Sequence, residues 1–258
     1  MRAITLILGA SLWLLHSAVI GQPSRSNFVN RLLFSPSENP DQPASRMAGI
    51  SSKPGNSQQF SWPNNTTGWQ HYANSTYLYT SDGRLMQSTT VSVGNGQPTE
   101  QLNYTYNGAN LAEKVRKIWR NNAWENDTRD VYVYDAANKL QELRYESWYN
   151  GAWTTDDGIR YLRTYNATGQ LTSETMQTWV LTWENAVRET YTLGQANTWT
   201  EVLVETWNQN SWQPVERITN LVWHNWSKRE LQSYLLKTFA QNTWADAENA
   251  TFSYSLTQ

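Results

Sequence analysis

From about Tyr77 onward the chain alternates apolar and polar positions in runs of about ten residues, broken by short polar turns. The runs at 128–135 and 202–207 are rich in Tyr, Trp, Val and Thr, which fit a pleated, half-buried surface. At about 3.3 Å per residue each run spans roughly 33 Å as a strand. Asp82-Gly83, Asn107-Gly108, Asn150-Gly151 and Gly194 provide the positive φ that hairpin turns demand. Strands joined by two to five residues are antiparallel neighbours. The pattern therefore predicts an all-β antiparallel meander of about eleven or twelve long strands between Tyr77 and Tyr254, curved or wrapped into a partial barrel. Beyond the first twenty residues no window keeps an i, i+3, i+4, i+7 apolar stripe. The segment 231–239 passes as a short helix on propensity, but its place in the repeat assigns it to a strand.

The repeat carries two marks. One is an aromatic pair five residues apart: Trp119/Trp124, Trp148/Trp153, Trp207/Trp212 and Phe239/Trp244, with Trp179/Trp183 one residue shorter. First members step by 29, 31, 28 and 32 residues, a fixed period that marks a repeat architecture. The other mark is Tyr-x-Tyr, a turn and Leu: Tyr77, Tyr79, Asp82, Gly83 and Leu85; Tyr104, Tyr106, Asn107, Gly108 and Leu111; Tyr132, Tyr134, Asp135, Asn138 and Leu140. Tyr165 to Leu171 keeps the turn and loses one Tyr; the copies at 191–199 and 221–226 are weaker. Each unit thus reads strand, turn, strand, turn.

Charges keep the same period. Arg129, Arg188 and Arg217 each follow the second Trp of a pair by five residues; Glu113, Glu142 and Glu201 each follow by two the residue that ends the other turn. Neighbouring strands bring these rows together, at about 0.2–1 kcal/mol per exposed cross-strand pair. In the third unit Arg160 comes seven residues after Trp153, which reads as a two-residue insertion around Asp156-Asp157-Gly158. Such a break is either an ordinary indel or a bulge beside a site.

Met1-Arg2, an apolar run to Ile20 and the small residues Val19 and Gly21 have the form of a secretory signal peptide over residues 1–21. Residues 22–60 hold most of the Pro, with Ser, Asn and Gln, and read as a disordered leader, leaving 61–258 as the repeat domain. The predicted destination is the periplasm, cell surface or exterior of a bacterium, with no stable membrane span once the signal is cleaved. The net charge of −2 lacks the basic stripe that nucleic acid requires.

With no Cys and His71 and His224 as the only His beyond the signal, no zinc cluster and no resident cofactor is expected. The sequence lacks a Gly-rich phosphate loop and a nucleophile elbow. Two carboxylates in a cleft can hydrolyse a glycoside, so Asp156 or Asp157 with a Glu is an enzymatic alternative. Exposed Trp faces stack on sugar rings. The recurring pairs read as a cross-strand ladder, so the ligand-binding candidates are the Trp outside it: Trp62, Trp69, Trp199 and Trp226.

Tyr77-x-Tyr79-x-x-Asp82-Gly83-Arg84-Leu85 and Tyr132-x-Tyr134-Asp135-x-x-Asn138-Lys139-Leu140 resemble the YD repeat of RHS-like proteins. The longer unit resembles repeats of uncharacterised exported proteins of Bacteroidota, over about residues 72–256. The resemblance implies a curling antiparallel sheet on secreted or cell-surface proteins. The period near 29 is longer than the family's twenty-odd, and the units are too few to close a shell.

Together these features predict an exported, non-enzymatic binding or structural module of the cell envelope or exterior. Its expected partner is a glycan or a surface protein, with self-association through edge strands open to it. An outer-membrane β-barrel is the other alternative; it requires an unbroken apolar outward row, which Arg144, Glu146, Glu205 and Lys237 oppose.

Overall fold

The computed structural model describes residues 53–63, 66–195, 197–227 and 229–254; the signal segment and most of the leader lie outside them. Fourteen strands follow one another: β1 (Asn56–Ser61), β2 (Gln70–Tyr79), β3 (Leu85–Ser92), β4 (Pro98–Asn107), β5 (Asn110–Arg120), β6 (Ala123–Tyr134) and β7 (Leu140–Tyr149), then β8 (Ala152–Tyr165), β9 (Leu171–Trp179), β10 (Trp183–Leu193), β11 (Trp199–Asn208), β12 (Ser211–Asn225), β13 (Glu230–Ala240) and β14 (Thr243–Thr251). They form one antiparallel meander whose strand order is the chain order. The count exceeds the expected eleven or twelve for a simple reason. The six Tyr-marked turns join β2 through β13, whereas β1 and β14 lie outside them. β1 begins inside the segment read as leader and pairs with β2 from Asn56↔Thr76 to Ser61↔Gln70.

The two marks sit at opposite ends of the hairpins. Trp119↔Trp124, Trp148↔Trp153, Trp207↔Trp212 and Phe239↔Trp244 are each one step inside a closing pair such as Arg120↔Ala123. The turns between are two residues with both φ positive: Asn121-Asn122, Asn150-Gly151, Gln209-Asn210 and Gln241-Asn242. This is the mirror-image turn whose twist matches the strands. The position just inside it is a non-hydrogen-bonded pair, where side chains approach most closely. The indoles meet edge to face there, with centroids 5.2, 5.0 and 5.0 Å apart in the three Trp–Trp pairs. Such packing contributes about 0.5–1.5 kcal/mol beyond area burial.

At the other end, Asp135 shows why the Tyr mark ends in Asp or Asn. Its Oδ1 accepts from the amides of Ala137 and Lys139, at 2.9 Å each. Asn138 then takes φ 59° and donates its amide to the Asp135 carbonyl. Asn166 and Gly169 repeat the arrangement. Across each turn the second Tyr directly opposes the Leu: Tyr79↔Leu85, Tyr106↔Leu111, Tyr134↔Leu140 and Tyr165↔Leu171.

The chain divides into two compact units, residues 37–188 and residues 189–258. In the first, Leu111, Tyr132, Leu140 and Leu143 form a buried cluster against Tyr104, Tyr106 and Tyr134. In the second, Val202, Ile218 and Leu236 oppose one another across β11, β12 and β13, all buried.

Arg residues tie successive hairpins together. Arg129 on β6 reaches past β7 to lie 4.6 Å over the Trp153 ring on β8. Arg217 does the same to Trp244 at 4.8 Å. Arg129 also donates to Glu146 on β7 at 2.9 Å and, on its other side, to Glu113 on β5 at 3.0 Å. Arg144 donates to the same Glu146 at 3.0 Å.

The third unit holds no two-residue insertion. Four of the hairpins marked by an aromatic pair have a bulge three residues after the second Trp: register skips Asp127, Asp156, Val215 and Ala247 alike. Asp156 is therefore the regular bulge residue. The change is at the Arg position, which is Gly158. A Cβ there would stand 2.8 Å from the Leu143 carbonyl and 2.9 Å from the Trp183 ring. Arg160, two residues on and so on the same face, stacks over Trp183 at 4.7 Å instead.

Glu146 is only 6% exposed. Burial alone would raise its carboxyl, but hydrogen bonds and charge from Arg129 and Arg144 outweigh this and hold it below its ordinary value. A lowered folded-state value stabilises above the unfolded carboxylate range and is lost as pH falls through the folded value. Glu146→Gln should thus cost roughly 2–3 kcal/mol at neutral pH, because both guanidinium groups lose the carboxylate charge they share. Urea unfolding at a series of pH values should show that gap to wild type closing on acidification below the carboxylate range.

Candidate functional site

The residues joining β1 to β2 bring Trp62 and Trp69 together edge to face, at 5.4 Å and 77°. The geometry is that of the ladder pairs, although seven residues rather than five separate the two. The turn differs: Gly68 takes φ 65°, and Gln70 Nε2 donates to the Thr67 carbonyl at 2.6 Å. Trp62 is 49% exposed and Trp69 67% exposed. Behind them Phe60, also exposed, stacks on His71 at 5.0 Å, and His71 Nε2 meets Asn74 Oδ1 at 3.0 Å. Beside this row lies a shallow depression of about 640 Å³ bordered by Gln58, Phe60 and Asn74. The surface combines ring faces with amide and imidazole groups. Ring faces stack on the C–H face of a sugar, and amides take its hydroxyls.

Trp199 and Trp226 have different surroundings. Trp199 is 8% exposed; Tyr191 stacks on it at 4.3 Å and the Arg229 guanidinium lies 4.4 Å over its ring. Arg229 also lies 3.5 Å over Trp226. Trp223 stands edge-on to Trp226 at 4.8 Å and donates Nε1 to the Trp199 carbonyl at 2.8 Å. Burial holds the Arg229 guanidinium below its usual value. This is a packed cation–π cluster that closes the turn between β12 and β13, and Trp199 presents no ring face to a ligand.

Phe60 lies in β1, which carries neither repeat mark, and His71 gains its place in the surface only by stacking on Phe60. Sequence reasoning also missed Arg229 as the cover on the tryptophans, since nothing in the spacing marks an Arg at φ 59°. Asp156 accepts a hydrogen bond from Ser147 Oγ, and Asp157 Oδ1 accepts the Gly158 amide at 2.7 Å. Among the described residues no group of three or more His, Asp and Glu is placed to hold a metal. His224 stacks on Tyr254 at 4.7 Å. A second depression, about 550 Å³, opens between the turns at Asn107–Asn110 and Asp135–Asn138 above Tyr132.

No family model and no curated protein matches the chain. Among solved structures it is similar to a protein of unknown function from Bacteroides fragilis, at 16% identity over 49% of this chain and 92% of that one, with a TM-score of 0.35. It is similar to a DUF3836 family protein from Parabacteroides distasonis at 14% identity, covering 33% of this chain and 84% of that one, TM-score 0.24. It is also similar to a chain of the Photorhabdus luminescens Tc holotoxin pore at 15% identity, covering 67% of this chain but 11% of that one, TM-score 0.30. At these TM-scores none carries an argument about this chain.

The two groups of Trp should separate cleanly in stability. Trp199→Ala removes a buried ring and should cost about 3–5 kcal/mol in urea unfolding. Trp69→Ala, at an exposed site, should cost no more than about 1 kcal/mol, mostly the edge-to-face contact with Trp62.

Proposed function

We propose that this chain is an exported, non-enzymatic binding module of the cell envelope or exterior, and that a glycan is held on the Phe60–Trp62–Trp69 surface. The observation that carries the reading is the exposed Trp62–Trp69 pair. In the ladder the same edge-to-face geometry sits beside a tight turn and fixes register; here it stands at the end of edge strand β1, beside Phe60, His71 and Asn74. Rings that fix no tight turn are available to a ligand. The amides beside them suit hydroxyls better than a charged partner. Export rests on the signal-like segment at residues 1–21. The periodic Arg and Glu residues are accounted for by register, as Arg129 with Glu113 and Glu146 shows.

The test is a glycan array with the purified protein, read beside intrinsic Trp fluorescence, and repeated with Trp62→Ala/Trp69→Ala. Selective binding with a fluorescence change is expected, falling about thirtyfold in the double variant, as loss of an aromatic anchor implies. The bound glycan should be recovered uncut. A blank array, or undiminished binding by the double variant, would remove the glycan from this surface; a blank would turn the search to protein ligands.

A further inference from the structure

In a meander alternate turns share an end, so the tips after β5, β7 and β9 lie together within residues 37–188. The first two tips, Asn121-Asn122 and Asn150-Gly151, use residues that accept positive φ. The third does not. Between Trp179 and Trp183, packed edge to face at 5.4 Å, stand Val180, Leu181 and Thr182. Val180 donates its amide to the Thr182 carbonyl at 2.9 Å, and Leu181 has φ 77°. This is a tight reversal centred on one bulky residue, in a backbone region where Leu is a genuine outlier. The Leu181 side chain is 92% exposed and Val180 57% exposed, so packing within the fold does not offset the strain. The neighbouring tip adds Tyr149, also exposed, beside Trp148. From Thr178 to Trp183 there is no charged residue.

Strain persists where something else compensates it, and it clusters at binding positions. We propose that this end of the 37–188 unit rests on a lipid bilayer, with Val180 and Leu181 entering the acyl boundary and Trp148, Tyr149, Trp179 and Trp183 at headgroup level. Trp and Tyr concentrate at that depth because their rings are apolar and their N–H and O–H groups are wet. A lipid surface fits better than a protein partner. Two exposed aliphatic side chains and the partly packed rings beside them fall well short of the about 800 Å² that each partner buries in a stable protein interface. The chain's charge of −2 provides no general attraction to anionic lipid, so insertion of the tip has to carry the binding. This contact uses none of the residues of the glycan reading, although the connection between β1 and β2 that carries Trp62 and Trp69 also falls at this end of the meander, several strands away.

The test is flotation of the purified protein with phosphatidylcholine vesicles and with phosphatidylethanolamine–phosphatidylglycerol vesicles, at low and high salt. Wild type should float with both, little affected by salt, and its Trp emission should move to shorter wavelength. Leu181→Gly keeps the positive φ without the strain. It should raise the thermal midpoint while lowering vesicle partition about tenfold, the loss of one inserted side chain. Leu181→Asp should abolish flotation. The proposal is overturned if wild type does not float, if Leu181→Gly floats like wild type, or if binding is confined to anionic vesicles and disappears with salt. A dimer in solution that Leu181→Asp dissociates would equally overturn it, assigning the tip to a second copy of the chain.

Discussion

Register in this sheet depends on one local interaction: two indoles meeting edge to face just inside a two-residue turn. A strand shifted by one residue turns every side chain to the wrong face, so a repeat sheet needs a device in each hairpin that permits only one alignment. The mirror-image turn brings the two Trp to a non-hydrogen-bonded pair, and the ring contact is lost if the turn slips. At the opposite end the Tyr–Leu pair across the Asp or Asn turn does the same work, with Asp135 and Asn166 fixing the loop through their own backbone. Each long hairpin is thus clamped at one end and positioned against its neighbour at the other.

The clamps are linked by charge. Arg129 and Arg217 reach over an intervening strand to the second ring of the next pair. In the 37–188 unit this places a carboxylate, Glu146, inside the sheet between two guanidinium groups. The 189–258 unit buries the apolar row Val202, Ile218 and Leu236 and, beside it, the carboxylates Glu189 and Glu205. In four hairpins a bulge three residues past the second Trp leaves one residue unpaired and adds local twist. Asp127, Asp156, Val215 and Ala247 occupy that position in turn, so the position tolerates very different side chains.

Much of this was legible because the sequence repeats it. The Trp spacing located the two-residue turns, the Tyr-to-Leu spacing located the others, and the offsets of Arg and Glu anticipated the Arg129–Glu113 pair. Where the period gave no guide, the reading faltered. β1 carries neither mark, and its polar composition disguised it as leader. Asp156 and Gly158 looked like an insertion because Arg160 was counted as a displaced copy of Arg129; the close approach of Trp183 to Gly158 is a contact between strands that linear spacing does not reveal. Of the four Trp set apart as ligand candidates, Trp199 was indistinguishable by sequence from Trp69. Its burial comes from Tyr191 and Arg229, residues whose relation to it exists only in the folded hairpins.

The paired indoles fix register through contact with each other rather than through separate burial. A double-mutant cycle on Trp207 and Trp212, each replaced by Val and followed by urea unfolding, measures that contact directly. A coupling of about 0.5–1.5 kcal/mol between the two sites is expected. Strict additivity of the single substitutions would contradict it.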